Sequence, residues 1–132
     1  MSVVHKLSDL TKTYSYADYM LRCFQELVEL IKGKIFEISP PPSRKHQVVS
    51  SILNRYLDRY FEFQPCGFYY APFDVRLIDF KKSTDDKKFF SVVQPDLCVV
   101  CDQNKLDDCG CIDSPDLVIE ILSQGVLKKK WE

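Results

Sequence analysis

VVQPDLCVV at residues 92–100 and SPDLVIEILS at residues 114–123 decide how this chain is read. Each is a short apolar run, rich in Val, Ile and Leu, that carries one internal carboxylate, Asp96 in the first and Glu120 in the second. A continuous apolar run of roughly four to eight residues bounded by turn signals is the pattern of a fully buried strand. A lone ionised carboxylate in such a strand costs several kcal/mol unless a partner or a metal compensates it. Either residue alone reads as a strand-end side chain facing water. The two together, on strands joined by one short connection, read as oxygen ligands converging on a hard cation.

Working outward, residues 68–78 set Phe73, Val75 and Leu77 alternately against Asp74 and Arg76, which predicts one strand. The polar segment 79–91 lies between two strands and predicts a hairpin excursion. Its Lys81, Lys82, Lys87 and Lys88 read as solvated charges. Residues 46–62 place Val48, Val49, Ile52, Leu53, Tyr56, Leu57, Tyr60 and Phe61 in one helical stripe. Gln47, Ser50, Ser51, Asn54, Arg55, Asp58 and Arg59 fall opposite it. Ser43, just after Pro40, Pro41 and Pro42, is the predicted N-cap. Arg44, Lys45 and His46 open this helix; cations at a helix N-terminus can bind an anion, but alone they read as a solvated basic turn.

Nearer the start, residues 28–38 read as strand, Lys32-Gly33 turn and strand, with Gly33 supplying positive φ. Ser15 with Asp18 three residues on marks a short helix whose stripe is Tyr16, Tyr19, Met20, Cys23, Phe24 and Leu27. Helix, hairpin, helix and then three strands predict an α/β chain of the α+β kind, a sheet covered by helices. One face of that sheet could collect Asp74, Asp96 and Glu120. Three carboxylates without a convergent cysteine–histidine set favour Mg²⁺ or Mn²⁺ over zinc.

The chain has 132 residues, 45% of them hydrophobic, enough for one domain with a real core. A formal net charge of -1 and a pI near 6.1 give bulk charge no part in nucleic-acid binding. No apolar stretch is long enough to span a bilayer, and residues 1–15 lack the apolar region of a signal peptide. A cytoplasmic location is the expectation. The six cysteines then read as reduced thiols. Cys98, Cys101, Cys109 and Cys111 could hold zinc, but Cys98 and Cys101 are three apart on a strand and point oppositely. There is no Gly-rich phosphate loop and no serine elbow, and His46 is the one histidine placed for acid–base chemistry.

Pro95-Asp96, followed on the next strand by Glu120, resembles the proline-aspartate…glutamate signature of the PD-(D/E)xK restriction-endonuclease-like superfamily. More narrowly, VELIKGKIFEISPPPSRKHQ (28–47), APFDVRL (71–77), VVQPD (92–96), KLDDCGC (105–111) and SPDLVIEILS (114–123) resemble the Uma family of bacterial restriction-endonuclease-like proteins, in order and approximate spacing. The resemblance implies a mixed β-sheet flanked by helices, Mg²⁺-dependent cleavage of DNA, and Asp96 and Glu120 as metal ligands. It gives Glu29, His46 and Asp74 supporting roles in the site. Two departures accompany it. The superfamily's lysine two places after the glutamate is Leu122 here, leaving Lys128, Lys129 and Lys130 as substitutes. The family's last core helix and strand should follow, so the chain reads as an incomplete domain that exposes the Glu120 strand to pairing, most simply in a homodimer. The competing expectation is a catalytically inert module that binds or assembles.

Overall fold

The computed structural model describes residues 12–22, 28–37, 43–78 and 91–122. The predicted excursion at 79–90, the proline run, the Cys23, Phe24 and Leu27 part of the first stripe, and Lys128, Lys129 and Lys130 lie outside the described residues. Helix α1 (Tyr16–Arg22) opens on a reciprocal cap, with Ser15 N–H donating to Asp18 Oδ2 at 2.9 Å and Asp18 N–H to Ser15 Oγ at 3.5 Å. It buries Tyr16 and Tyr19 against Val28, Leu30, Ile35 and Val92, the first of two core clusters. Strands β1 (Val28–Ile31) and β2 (Lys34–Glu37) form the expected hairpin. Lys32 and Gly33 both have positive φ, 48° and 80°, the requirement of a type I′ turn.

Helix α2 (Arg44–Phe61) is capped by Ser43, whose Oγ accepts from His46 N–H at 3.1 Å. Its packing departs from the expected inward stripe. The helix buries no residue completely. Leu53, Leu57 and Phe61 are half-buried, while Val48, Val49, Ile52, Tyr56 and Tyr60 are exposed. At about 100° per residue these two sets lie on adjoining sectors, so α2 rests on the border between its polar and apolar faces.

The predicted strand 68–78 is two strands, β3 (Gly67–Tyr70) and β4 (Asp74–Leu77). The Asp96 run likewise divides into β5 (Ser91–Val93) and β6 (Leu97–Val100). Each break holds a proline, Pro72 or Pro95, which has no N–H to give a ladder. Asp96 therefore sits in a bend between strands, not in the middle of one. Helix α2 packs on β3. The register also shifts across the breaks. Tyr70 pairs with Leu97 and Val75 with Val93, so the β3–β4 strand takes five steps where β5–β6 takes four. That is one extra residue, a bulge between two ladders.

After β6 come a 3₁₀ turn (Gln103–Lys105), β7 (Leu106–Asp107), β8 (Gly110–Ile112) and β9 (Leu117–Ile119). The β7–β8 hairpin falls in what the sequence presents as a plain loop. Gly110, at φ 136°, lets β8 run parallel to β4 with its backbone against the Asp74 carbonyl, where a Cβ would collide. The strand orders are β2-β1-β5-β4-β8-β7 and β3-β6-β9. Every pairing is antiparallel except β4–β8, so the architecture is mixed α/β with a mixed sheet. The second core cluster, Val75, Cys98, Val100 and Cys111, lies at the junction. Among the described residues no helix is long and apolar enough to cross a membrane.

The cysteines correct the expectation of uniformly reduced thiols. Cys66 and Cys101 form a disulfide. The reason is register: Gly67 pairs with Val100, and one step outward brings Cys66 face to face with Cys101. Cys98 and Cys111 are buried and free, and Cys109 is free and exposed. Burial, with Cys111 nearby, pushes the Cys98 thiol up to about 12.

Candidate active site

The bend that interrupts β5–β6 delivers Asp96 to three neighbours. Its backbone carbonyl accepts from Ala71 N–H at 3.0 Å, holding the two interrupted strands together. Its Oδ1 lies 3.1 Å from His46 Nε2, and its Oδ2 accepts from Ile121 N–H at 2.8 Å. In the tautomer with its proton on Nε2 the imidazole is the donor of this contact. The His46 and Asp96 side chains are 16% and 19% exposed, sheltered yet reachable. His46 is there because the Ser43 cap starts α2 three residues earlier and aims the first turn at the bend.

Glu120 follows directly on β9 and is half-buried. The β6–β9 register pairs Leu97 with Ile119, and one further step sets Asp96 across from Glu120. Asp116 fixes the start of β9, donating its N–H to Val99 O at 2.8 Å and accepting from Cys101 N–H at 2.7 Å. Mg²⁺ commonly binds through one or two carboxylates, water and substrate oxygens rather than an all-protein cage. Asp96 has given one acceptor site on each oxygen and a carboxylate has about four. Asp96 and Glu120 are the two carboxylates here that could hold such a cation, although among the described residues they form no group of three potential ligands with His46.

Asp96 and His46 stand at one end of an open cleft of about 810 Å³. One wall is the polar flank of α2, from Gln47 through Ser51, Asn54 and Arg55 to Asp58; the other is Phe68, Tyr70 and Ala71. Asn54 donates to Ser50 O at 2.8 Å, and its Oδ1 is buried without a partner among the described residues. The cleft walls are absent from the sequence reading. Pro72 was a usable signal, since a proline inside an apparent strand announces the break that turns Tyr70 outward.

The other two expected site residues lie elsewhere. Asp74 belongs to the six-stranded sheet, Asp96 and Glu120 adjoin the three-stranded one, and no group of three potential metal ligands forms among the described residues. The expected gathering of three carboxylates is thus corrected: Asp74 turns instead to a cluster of Tyr16, Tyr19 and Gln94. There its Oδ1 accepts from Tyr19 OH and Gln94 Nε2, each at 2.9 Å, and its Oδ2 from Tyr16 OH at 3.4 Å. Gln94 is two residues from Asp96, so this cluster anchors the bend from behind. Burial first, then the charge of Asp74, raises the Tyr16 pKa. The Arg76 guanidinium stacks 5.1 Å from the Tyr16 ring and donates to Asp107 Oδ1. Glu29 is buried on β1 and is not among the cleft-lining residues.

A family model described as "Putative restriction endonuclease", Uma2, matches residues 17–130. The chain belongs to the Uma2 family. A mixed sheet flanked by helices agrees with the restriction-endonuclease-like fold of Uma2 proteins. No curated protein matches the chain. Within this Uma2 chain, Leu122 occupies the place two residues after Glu120, and among the described residues the basic side chains lining the cleft are His46 and Arg55, with no lysine.

Proposed function

We propose that the chain hydrolyses phosphodiester bonds in DNA, with Asp96 and Glu120 holding Mg²⁺ or Mn²⁺. What supports this reading is the β6–β9 register, which continued one step past its last pair brings Asp96 opposite Glu120, together with the place of Asp96 in the lining of a solvent-open cleft. When bound, such a cation supplies a water of lowered pKa and stabilises charge on the phosphoryl oxygens. The chain's own residues do the positioning. His46 and Ile121 N–H each take one oxygen of Asp96 and fix the plane of its carboxylate. The polar flank of α2 orients the substrate backbone, and the Asp74–Gln94 contact steadies the bend.

The test is nicking of supercoiled plasmid in Mg²⁺ or Mn²⁺ by the wild-type chain, Asp96→Ala and Glu120→Ala. Cleavage that needs the cation and disappears in both variants is the expected result. Cutting that survives both substitutions sinks the assignment. A second reading, an inert binding module, is favoured by the lack of lysine among the described cleft-lining residues. It predicts DNA binding with no metal-dependent cleavage at any protein concentration.

Self-association belongs to the same proposal. Strand β9 is an edge among the described strands, and its Leu117 and Val118 are 45% and 47% exposed. An apolar edge of this kind is a template for a second chain. A strictly monomeric species in light scattering at low micromolar concentration removes this part.

A further inference from the structure

We propose that the cleft leading away from Asp96 is a single-strand track, in which unpaired bases stack on Tyr70 and Phe68 while the sugar–phosphate chain follows the polar flank of α2. The inference deepens the reading of Asp96 and Glu120 as a cleavage site and rests on it for which end of the track reacts. The two walls differ in chemistry. Along α2, Gln47, Ser51 and Arg55 recur every four residues and offer amide, hydroxyl and guanidinium donors. At 1.5 Å per residue, His46 to Asp58 spans about 18 Å, roughly five nucleotides at stacked spacing. Across from this strip, Phe68 and Tyr70 occupy alternate positions of β3 and so share one face, with ring centroids 6.4 Å apart. Tyr70 is 61% exposed, a large ring left open to solvent beside the carboxylate bend. It is also tied to that bend, because Tyr70 pairs with Leu97 and its neighbour Ala71 donates to Asp96 O.

A donor strip facing an aromatic wall suits an unpaired strand better than a duplex. Aromatic platforms bind single strands without regard to sequence because every base has a π-face. A duplex hides those faces in its stack, and a helix that reads it projects into the major groove. Helix α2 does not project; it lies on β3 and serves as a wall of the cleft. Charge is sparse along the cleft, so stacking must carry the binding. Arg55 is the one arginine or lysine lining the described cleft, and it is matched there by Asp58. Phosphate neutralisation therefore contributes little, and a shallow salt dependence follows.

The test is fluorescence anisotropy of the whole chain in EDTA with three labelled probes: a twelve-nucleotide oligo-dT, the matching oligo-rU and a twelve-base-pair duplex. Either single strand is expected to bind at least tenfold tighter than the duplex, and the two arms show whether the sugar is read. Tyr70→Ala is expected to weaken strand binding by about tenfold, with Tyr70→Phe restoring it. Tyr56→Ala, an exposed ring on the other flank of α2, serves as a surface control and leaves binding unchanged. Equal or tighter duplex binding, absence of strand binding, or indifference to Tyr70→Ala overturns the track. Plasmid cleavage through Asp96 and Glu120 with no strand preference overturns the track alone. Tyr70-dependent strand binding without any metal-dependent cleavage overturns the nuclease reading and leaves the track standing.

Discussion

The imidazole Nε2 of His46 lies 3.1 Å from Oδ1 of Asp96, joining the first turn of α2 to the bend between β5 and β6. Fifty residues separate the two in sequence, and this contact is what brings the helix wall of the cleft to the carboxylate. Groups that orient a ligating side chain typically affect metal affinity by about 10–100-fold. His46→Ala is therefore expected to weaken Mg²⁺ or Mn²⁺ binding by that factor, read by titration calorimetry, with the circular dichroism spectrum unchanged. Unaltered affinity would make the contact incidental.

The Arg76–Asp107 pair predicts a specific acid sensitivity. Burial acts to raise the Asp107 pKa, but the Arg76 hydrogen bond and charge outweigh it and hold the carboxyl below its usual value. A carboxyl depressed by folding adds stability above its unfolded pKa, near 4, and loses that contribution as pH falls through the lower folded value. Asp107 is 41% exposed, so screening limits the effect to on the order of 1 kcal/mol. Urea midpoints of the wild type and Asp107→Asn should differ at pH 7 and converge below about pH 4. A gap of constant size across that range counts against the pair.

Thiol chemistry separates the cysteines. Cys109 should react promptly with an aromatic disulfide reagent in the native protein, while Cys98 and Cys111 react only on unfolding, because both are buried and burial raises both pKa values. Peptide mapping without reductant should recover Cys66 joined to Cys101. Prompt native labelling of Cys98 would contradict the packing of β6 against β8.

How far the sequence carried the reading depended on the range of the interaction. Asp96 and Glu120 stood out as candidates because each is a carboxylate embedded in apolar residues, a local anomaly visible in a window of ten. The Lys32-Gly33 turn, the Ser43 cap and the Ser15–Asp18 cap were legible for the same reason. The orientation of α2 was not, since its periodicity gives an apolar sector but not which border of it meets β3. Nor was the Cys66–Cys101 bridge, whose pairing follows from a register that sequence spacing does not encode. The place of Asp74 was misread because alternation was carried straight through Pro72 as though the strand were unbroken. Residues 106–112 were too short a pair of strands to give a period.

Gly110→Ala tests that overlooked hairpin. The added methyl meets the Asp74 carbonyl on a backbone at φ 136°, a conformation that favours glycine. Overpacking and backbone strain together should remove about 3 kcal/mol or more of stability, measured by urea unfolding. A loss under 1 kcal/mol would show that β8 can shift away from β4 at little cost.

The one-residue slip between the two ladders restricts how this chain can diverge. In the apolar second cluster, Val93 and Cys98 share a core although an odd number of steps separates them, while Tyr69 and Val75 are an even number apart. The bend at residues 94–96 is thus a change of parity. Adding or deleting a single residue at 71–73 or 94–96 would exchange the two faces of β6, both of them buried, so that Leu97 and Val99 would meet the neighbours now packed on Cys98 and Val100, and the reverse. Connections elsewhere in a protein vary freely in length. These two segments can vary in composition only, so their spacing is a counted quantity that descendants of this chain must inherit intact or lose together with the site.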